Sequence, residues 1–134
     1  KIFISRKDAS HARKVVNEDE VFALFKPFGY KQLEFSKLNM AEKIAVSNHA
    51  KSIINFMGSG STNLLFASDD VKYYEIQQEY VEASYFYMAK TLGLHYEILN
   101  ASTLNDLLYN PPFALGRALP LEIVQEFIRN HPEL

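Results

Sequence analysis

The 134-residue sequence contains no cysteine, which excludes disulfide staples and thiolate metal sites. Long apolar runs are missing as well: none approaches the ~18 residues that a membrane-spanning helix needs. Excess charge of one sign is absent. The net charge of −2 argues against a general nucleic-acid binder. Several catalytic signatures are also absent. There is no G-x-S-x-G elbow for a serine hydrolase. There is neither a G-x-G-x-x-G dinucleotide fingerprint nor a phosphate loop with its lysine. His11, His49, His95 and His131 are scattered along the chain without H-x-x-x-H spacing. They read as surface or capping residues, and no metal ligand set is expected. No internal repeat or low-complexity tract stands out.

What remains is an ordinary globular composition: 48% hydrophobic and 22% charged residues, with eight Tyr and ten Phe as large apolar anchors. A chain of this length suits one domain, and folding buries roughly 68% of its surface. Five short β-rich runs, at 1–5, 30–35, 51–56, 71–76 and 95–99, alternate with helical patterns. Asn17 reads as a helix cap, with Glu18, Asp19 and Glu20 at the positive dipole end. Val21, Leu24, Phe25 and Phe28 follow on one face, and Gly29 closes that helix. Asn39 starts a second helix with Met40 and Ile44 inward and Ala45 and Val46 as further inward candidates. A short helix is expected at 62–68, another from 80 to Gly93, and a last one at 120–130 behind Pro120. Residues 105–120 carry a proline break and read as partly irregular. This alternation implies right-handed crossovers and an α/β, Rossmann-like three-layer domain with a mostly parallel sheet of about five strands.

Ligands of such a sheet bind at the carboxyl ends of its strands. Two elements fall there. In "IINFMGSGSTNLLF", Gly58-Ser59-Gly60-Ser61 joins the third strand to a helix. Glycines admit close backbone approach, and a helix start favours an anion. Taken alone, such a loop is as well read as a tight connection. Arg6, Lys7 and Arg13 follow the first strand, and arginine at a strand end can grip a diphosphate through two parallel bonds. Together the two elements favour an anion site. Glu75, near the end of the fourth strand, is placed to accept from a ribose diol or to sit exposed.

Three blocks, "ISRKDASHARKVVNEDEVFALFKPFGY", "LNMAEKIAVSNHAKSIINFMGSGSTNLLF" and "YYEI", resemble in order and spacing the C-terminal domain of glycosyltransferase family 61. That family's pattern runs S-R, a basic loop, R-x-x-x-N-E-x-E, a helix, then H-G-A-G-L-T-N-L-L-F, with a glutamate on the next strand. The resemblance covers roughly residues 1–96. It implies one half of a two-domain enzyme of GT-B type, whose C-terminal half binds a nucleotide-diphosphate sugar for inverting, metal-independent transfer. Polysaccharide or glycan assembly, as in capsular polysaccharide biosynthesis, is the implied setting. It further implies that residues 1–134 are a single nucleotide-sugar-binding domain of a longer chain. The missing N-terminal domain would hold the glycan acceptor. No cofactor beyond the donor substrate is implied.

Carried over by position, Arg6 and Arg13 face the donor phosphates, Gly58, Ser59, Gly60, Ser61, Thr62 and Asn63 form the diphosphate cradle, and Glu75 is the ribose contact. Asn17 and Glu18 match the N-E pair, read as capping that steadies the basic loop. The chain departs from the pattern at Met57 (His in the family), Ser59 (Ala), Ser61 (Leu) and Lys43 (Gln). A thioether at 57 replaces neither a donor nor a titratable group. A non-catalytic nucleotide-binding or protein-interaction domain that keeps the fold is therefore the alternative. A half-enzyme exposes an apolar face, which makes a homodimer a possible arrangement. A bacterial cytoplasmic location is expected, with a Golgi or ER lumen as the alternative.

Overall fold

A computed structural model describes residues 1–9, 14–78, 83–101 and 118–134. Five strands form one sheet in the order β2-β1-β3-β4-β5: β1 (Ile2–Ile4), β2 (Lys31–Leu33), β3 (Ser52–Phe56), β4 (Lys72–Gln77) and β5 (His95–Asn100). All four pairings are parallel. The four described α-helices are α1 (Glu18–Phe25), α2 (Met40–His49), α3 (Ser84–Thr91) and α4 (Leu121–Asn130).

The strands divide their side chains between two cores, as the period of two requires. Phe3, Ile54, Phe56, Tyr74 and Ile76 point to one face, under α1 and α4. Ile2, Ile4, Ile53 and Tyr73 point to the other, under α2, α3 and a 3-10 helix at Ser59–Phe66. All five residues of β3 are buried, as expected of a central strand covered on both sides. Phe3 anchors the first core. Its ring lies 5.4 Å from Phe22, 6.0 Å from Phe25 and 5.5 Å edge-on from Phe56, all within the favourable range for aromatic pairs. Val21 and Phe25 of α1 are buried, with Leu24 and Phe28 packed beside them, which is the face that the spacing predicts. Gly29 ends the element with φ +85°.

Two local expectations are corrected. Met40 and Ile44 do not face inward, being 61% and 39% exposed, and Ala45 is exposed too, whereas Val46 packs against the core as expected. The capping box between Asn39 and Glu42 is present, but α2 turns the side bearing Val46, Ser47 and Ala50 toward the sheet. Small side chains at 47 and 50 allow that approach where Met and Ile would hold the helix off. Asn17 makes no side-chain cap. Its amide instead exchanges two 2.8 Å hydrogen bonds with the backbone of Leu119 and ties the start of α1 to the segment entering α4. The expected short helix at 62–68 is a 3-10 helix that begins earlier, at Ser59. The irregular reading of 105–120 lies outside the described residues except for its last three.

Candidate functional site

The strand order reverses between β1 and β3, since the chain leaves β1 for β2 on one side and reaches β3 on the other. In an open parallel sheet the crevice at such a point, beyond the carboxyl ends, is the usual ligand position. The residues that follow these two strands are Ser5-Arg6-Lys7 and Met57-Gly58-Ser59. They meet there. The Arg6 guanidinium donates to the Met57 carbonyl and lies directly on Gly58. A Cβ built on Gly58 would sit 2.9 Å from Nη2 and 3.2 Å from Cζ of Arg6, and the φ of +148° is itself unfavourable for any side chain. Glycine is needed twice over at this position.

Arg6 is positioned from behind by Glu18. This carboxylate is only 3% exposed. It accepts from the Ser5 hydroxyl at 2.5 Å, the Arg6 backbone N–H at 2.9 Å and the Gln32 amide at 2.8 Å. A first-turn acid was expected to complement the helix dipole. Glu18 turns inward and joins α1, β1 and β2, and through the Arg6 N–H it steadies the basic loop, as the reading of the N-E pair expects. Lys7 turns outward to Asp19 at 2.6 Å, and that partner raises its pKa.

Beneath the Gly58–Gly60 turn lies a second buried network, on the face covered by the 3-10 helix. Ser61 is fully buried. Its hydroxyl donates to Glu75 at 2.7 Å and accepts from Asn55 at 3.0 Å and Tyr73 at 2.9 Å. The other Glu75 oxygen accepts from Gln77 at 3.0 Å and from the Tyr96 hydroxyl. A Cβ on Gly60 would come within 3.3 Å of the Asn55 amide, so the turn rests closely on this network. Burial raises the Tyr73 and Tyr96 hydroxyls, and the Glu75 carboxylate adds to that rise by accepting from Tyr96 and lying near Tyr73. Burial likewise pushes Tyr30 up to about 12.

These tyrosines give a pH prediction. In the unfolded chain they ionise near pH 10, while in the folded chain they stay protonated to higher pH. Stability is therefore full below pH 10 and falls as pH rises above it, by up to about 1.4 kcal/mol per pH unit for each such tyrosine. An alkaline titration should show the buried tyrosinates appearing together with loss of helical circular dichroism. Smooth tyrosinate formation with the fold intact would contradict this.

A profile of the family described as Glycosyltransferase 61 matches residues 1–74, more than half of the chain. The chain belongs to this family. The matched segment runs from β1 to the middle of β4 and contains both halves of the crevice, Arg6 and the Gly58–Asn63 turn. No match to a curated protein was found. The family pattern carries leucine where this chain has Ser61, whose hydroxyl serves the buried network. A leucine could not donate to the buried Glu75 carboxylate, which a hydroxyl does.

Of the residues singled out in the sequence, Arg6, Gly58 and Ser59 lie together at the crevice of this glycosyltransferase domain. The Thr62 and Asn63 side chains bond back to the Ser59 and Gly60 carbonyls, at 2.7 and 2.8 Å, and brace the turn. Ser61 and Glu75 face the interior. Both oxygens of Glu75 are engaged and none of its surface is exposed, so it supports the turn from beneath rather than standing at a strand end in solvent. Arg13 lies outside the described residues. Asn55, Tyr73 and Tyr96 escaped sequence reasoning, because only the pairing of β3, β4 and the edge strand β5 brings them to Ser61 and Glu75. No described helix is long and apolar enough to cross a membrane.

Proposed function

We propose that this domain is the donor-binding half of a glycosyltransferase and holds the diphosphate of a nucleotide sugar between Arg6 and the Gly58–Gly60 turn. The observation that carries this reading is the Arg6 guanidinium lying on Gly58 at the β1–β3 switch point. A planar cation there offers a fork of donors to a diphosphate, and the missing side chain at Gly58 lets the guanidinium lie against the turn. Glu18 fixes the loop that carries the arginine, and the network at Ser61, Asn55 and Glu75 fixes the turn. The site is thus preorganised for charge on a leaving group.

In the proposed reaction the acceptor oxygen attacks the anomeric carbon from the face opposite the diphosphate. The glycosidic C–O bond to phosphate breaks and its electron pair passes to the phosphate oxygen, where Arg6 offsets the charge. A base on a facing acceptor domain takes the hydroxyl proton. This scheme uses no metal at the donor edge and inverts the anomeric centre. The domain is one half of a two-domain enzyme of GT-B type in glycan assembly.

Met57 favours the second reading, a nucleotide-binding domain without catalysis. Only its backbone is used: the N–H donates to Ile76 at 2.9 Å and the carbonyl accepts from Arg6. Its thioether supplies no donor where the family pattern has histidine.

A thermal-shift panel of UDP, GDP, CMP, ADP and NAD tests the proposal. One nucleoside diphosphate at about 100 times its dissociation constant should add ~2.7 kcal/mol, a rise of several degrees. Gly58→Ala should abolish that rise. Gly29→Ala, at another positive φ with open space around it, should retain it. A response to none of the ligands, or one that persists in Gly58→Ala, would overturn the donor-site reading. Binding without transfer by the full enzyme would favour the second.

A further inference from the structure

The edge strand β5 carries a cluster that the donor site does not use. His95 opens β5, and Glu97 lies two residues on, on the same face of the strand, in register with Tyr74. The last turn of α4 brings His131 to this strand, and Glu133 follows it. Neither histidine has a metal-like spacing in the sequence. The fold supplies the proximity: the Nε2 atoms of His95 and His131 both face Glu97, His95 at 3.0 Å from Oε1 and His131 at Oε2. Ligating atoms of Glu97, His131 and Glu133 lie within 4.8 Å of one another.

The hydrogen bonds of His131 give the cluster its meaning. Its Nδ1 lies 2.7 Å from the Phe127 carbonyl, one helical turn back. A carbonyl only accepts, so Nδ1 carries the hydrogen. In the neutral ring Nε2 is then a bare lone pair, aimed at a carboxylate. Two acceptors facing each other need something positive between them: either a second proton on the ring or a cation. A backbone carbonyl that fixes the tautomer and turns Nε2 outward is also the usual support of a metal-binding histidine. The remaining surroundings match that role. Glu133 accepts from the Tyr74 hydroxyl at 3.1 Å. The His131 ring is stacked on Phe127 at 4.0 Å, with Tyr74 edge-on at 6.0 Å.

We propose that Glu97, His131 and Glu133, with His95 as a fourth ligand, bind a borderline divalent cation of the zinc type. Two imidazoles and two carboxylates suit zinc, whereas calcium and magnesium prefer oxygen throughout. Tetrahedral bonds of ~2.0–2.1 Å place ligand atoms roughly 3.3 Å apart, a contraction that side-chain rotation can supply in Glu97 and Glu133. Glu97 is 33% and His95 46% exposed along the side chain, which leaves a path from solvent. Such an ion joins β5 to the end of α4 and so fastens the last helix to the sheet edge. It lies at the edge strand β5, with β3 and β4 between it and the strand that carries Arg6, so it is a structural ion that takes no part in sugar transfer.

The test is calorimetric titration of the whole chain, stripped with chelator, with Zn²⁺ alone, and with Mg²⁺ and Ca²⁺ as controls. One equivalent of Zn²⁺ should bind saturably and raise the melting temperature, with no comparable response to the other two ions. His131→Gln and Glu97→Gln should each weaken binding by tenfold or more. Because His131 also packs against the core, the exposed His95→Ala serves as a second variant, with a smaller loss and the fold retained. X-ray absorption at the zinc edge should report nitrogen and oxygen neighbours only, with imidazole scattering. No saturable zinc binding, or binding unchanged in all three variants, would overturn the proposal and leave the second ring proton as the bridge between His131 and Glu97.

Discussion

Replacing Glu18 by alanine should cost at least about 3 kcal/mol of stability, since each of three donors left without its acceptor costs roughly 1–3 kcal/mol. Ser5, Arg6 and Gln32 all give a hydrogen to this carboxylate. Water cannot easily replace it, because the side chain is 3% exposed. Against a typical total of ~5–15 kcal/mol, this is a large fraction. Urea unfolding should show a lower midpoint at an unchanged slope. Ser5→Ala leaves the carboxylate with two donors and also takes an acceptor from the part-buried Lys7 N–H, so it should cost about 1–2 kcal/mol. A loss below ~1 kcal/mol in Glu18→Ala would mean that Glu18 is the solvated first-turn acid that its sequence position suggests.

The second large effect is on binding. Arg6→Ala should raise the dissociation constant of the nucleoside diphosphate by ~10–100-fold, since charge-assisted hydrogen bonds contribute ~1.5–3 kcal/mol and ~1.4 kcal/mol is a factor of ten. Arg6→Lys should recover little of it, because an ammonium keeps the charge but loses the planar fork. Lys51→Ala makes the same change in net charge as Arg6→Ala. Lys51 precedes β3 at the amino edge and pairs with Asp70 at 2.6 Å on the surface. At physiological salt the screening length is about 8 Å, so this variant should bind nearly as the parent does. Equal losses in Arg6→Ala and Lys51→Ala would reduce the effect of Arg6 to bulk electrostatics.

The sheet was legible because its signals are local. Apolar runs such as "SIINF" are short and β-rich, and a helical pattern follows each of them, so parallel order and the carboxyl edge come directly from the alternation. The meeting of Arg6 and Gly58 was legible too, since both follow strands. What escaped were facts about orientation. Glu18 at a helix start complements a dipole whichever way it points. Only the proximity of Ser5 and Gln32, brought by β1 and β2, turns it inward. Met40 and Ile44 form a plausible apolar stripe, yet α2 packs through Ser47 and Ala50, because close approach to the sheet favours small residues over large ones. Ser61 sits in a turn with Gly58, Ser59 and Gly60, and its burial depends on Glu75 and Tyr73 from the following strand. His95 and His131 are 36 positions apart, and only the packing of α4 along β5 brings both to Glu97.

The most direct test of the central claim is backbone amide chemical-shift mapping of the chain as the nucleoside diphosphate is added. The account predicts that the largest shifts fall on Arg6, Lys7 and Gly58 to Ser61, with smaller ones at Asn55 and Glu75 beneath the turn and none at His95 or Glu97. Shifts centred on another edge of the sheet, or none at saturating nucleotide, would contradict it.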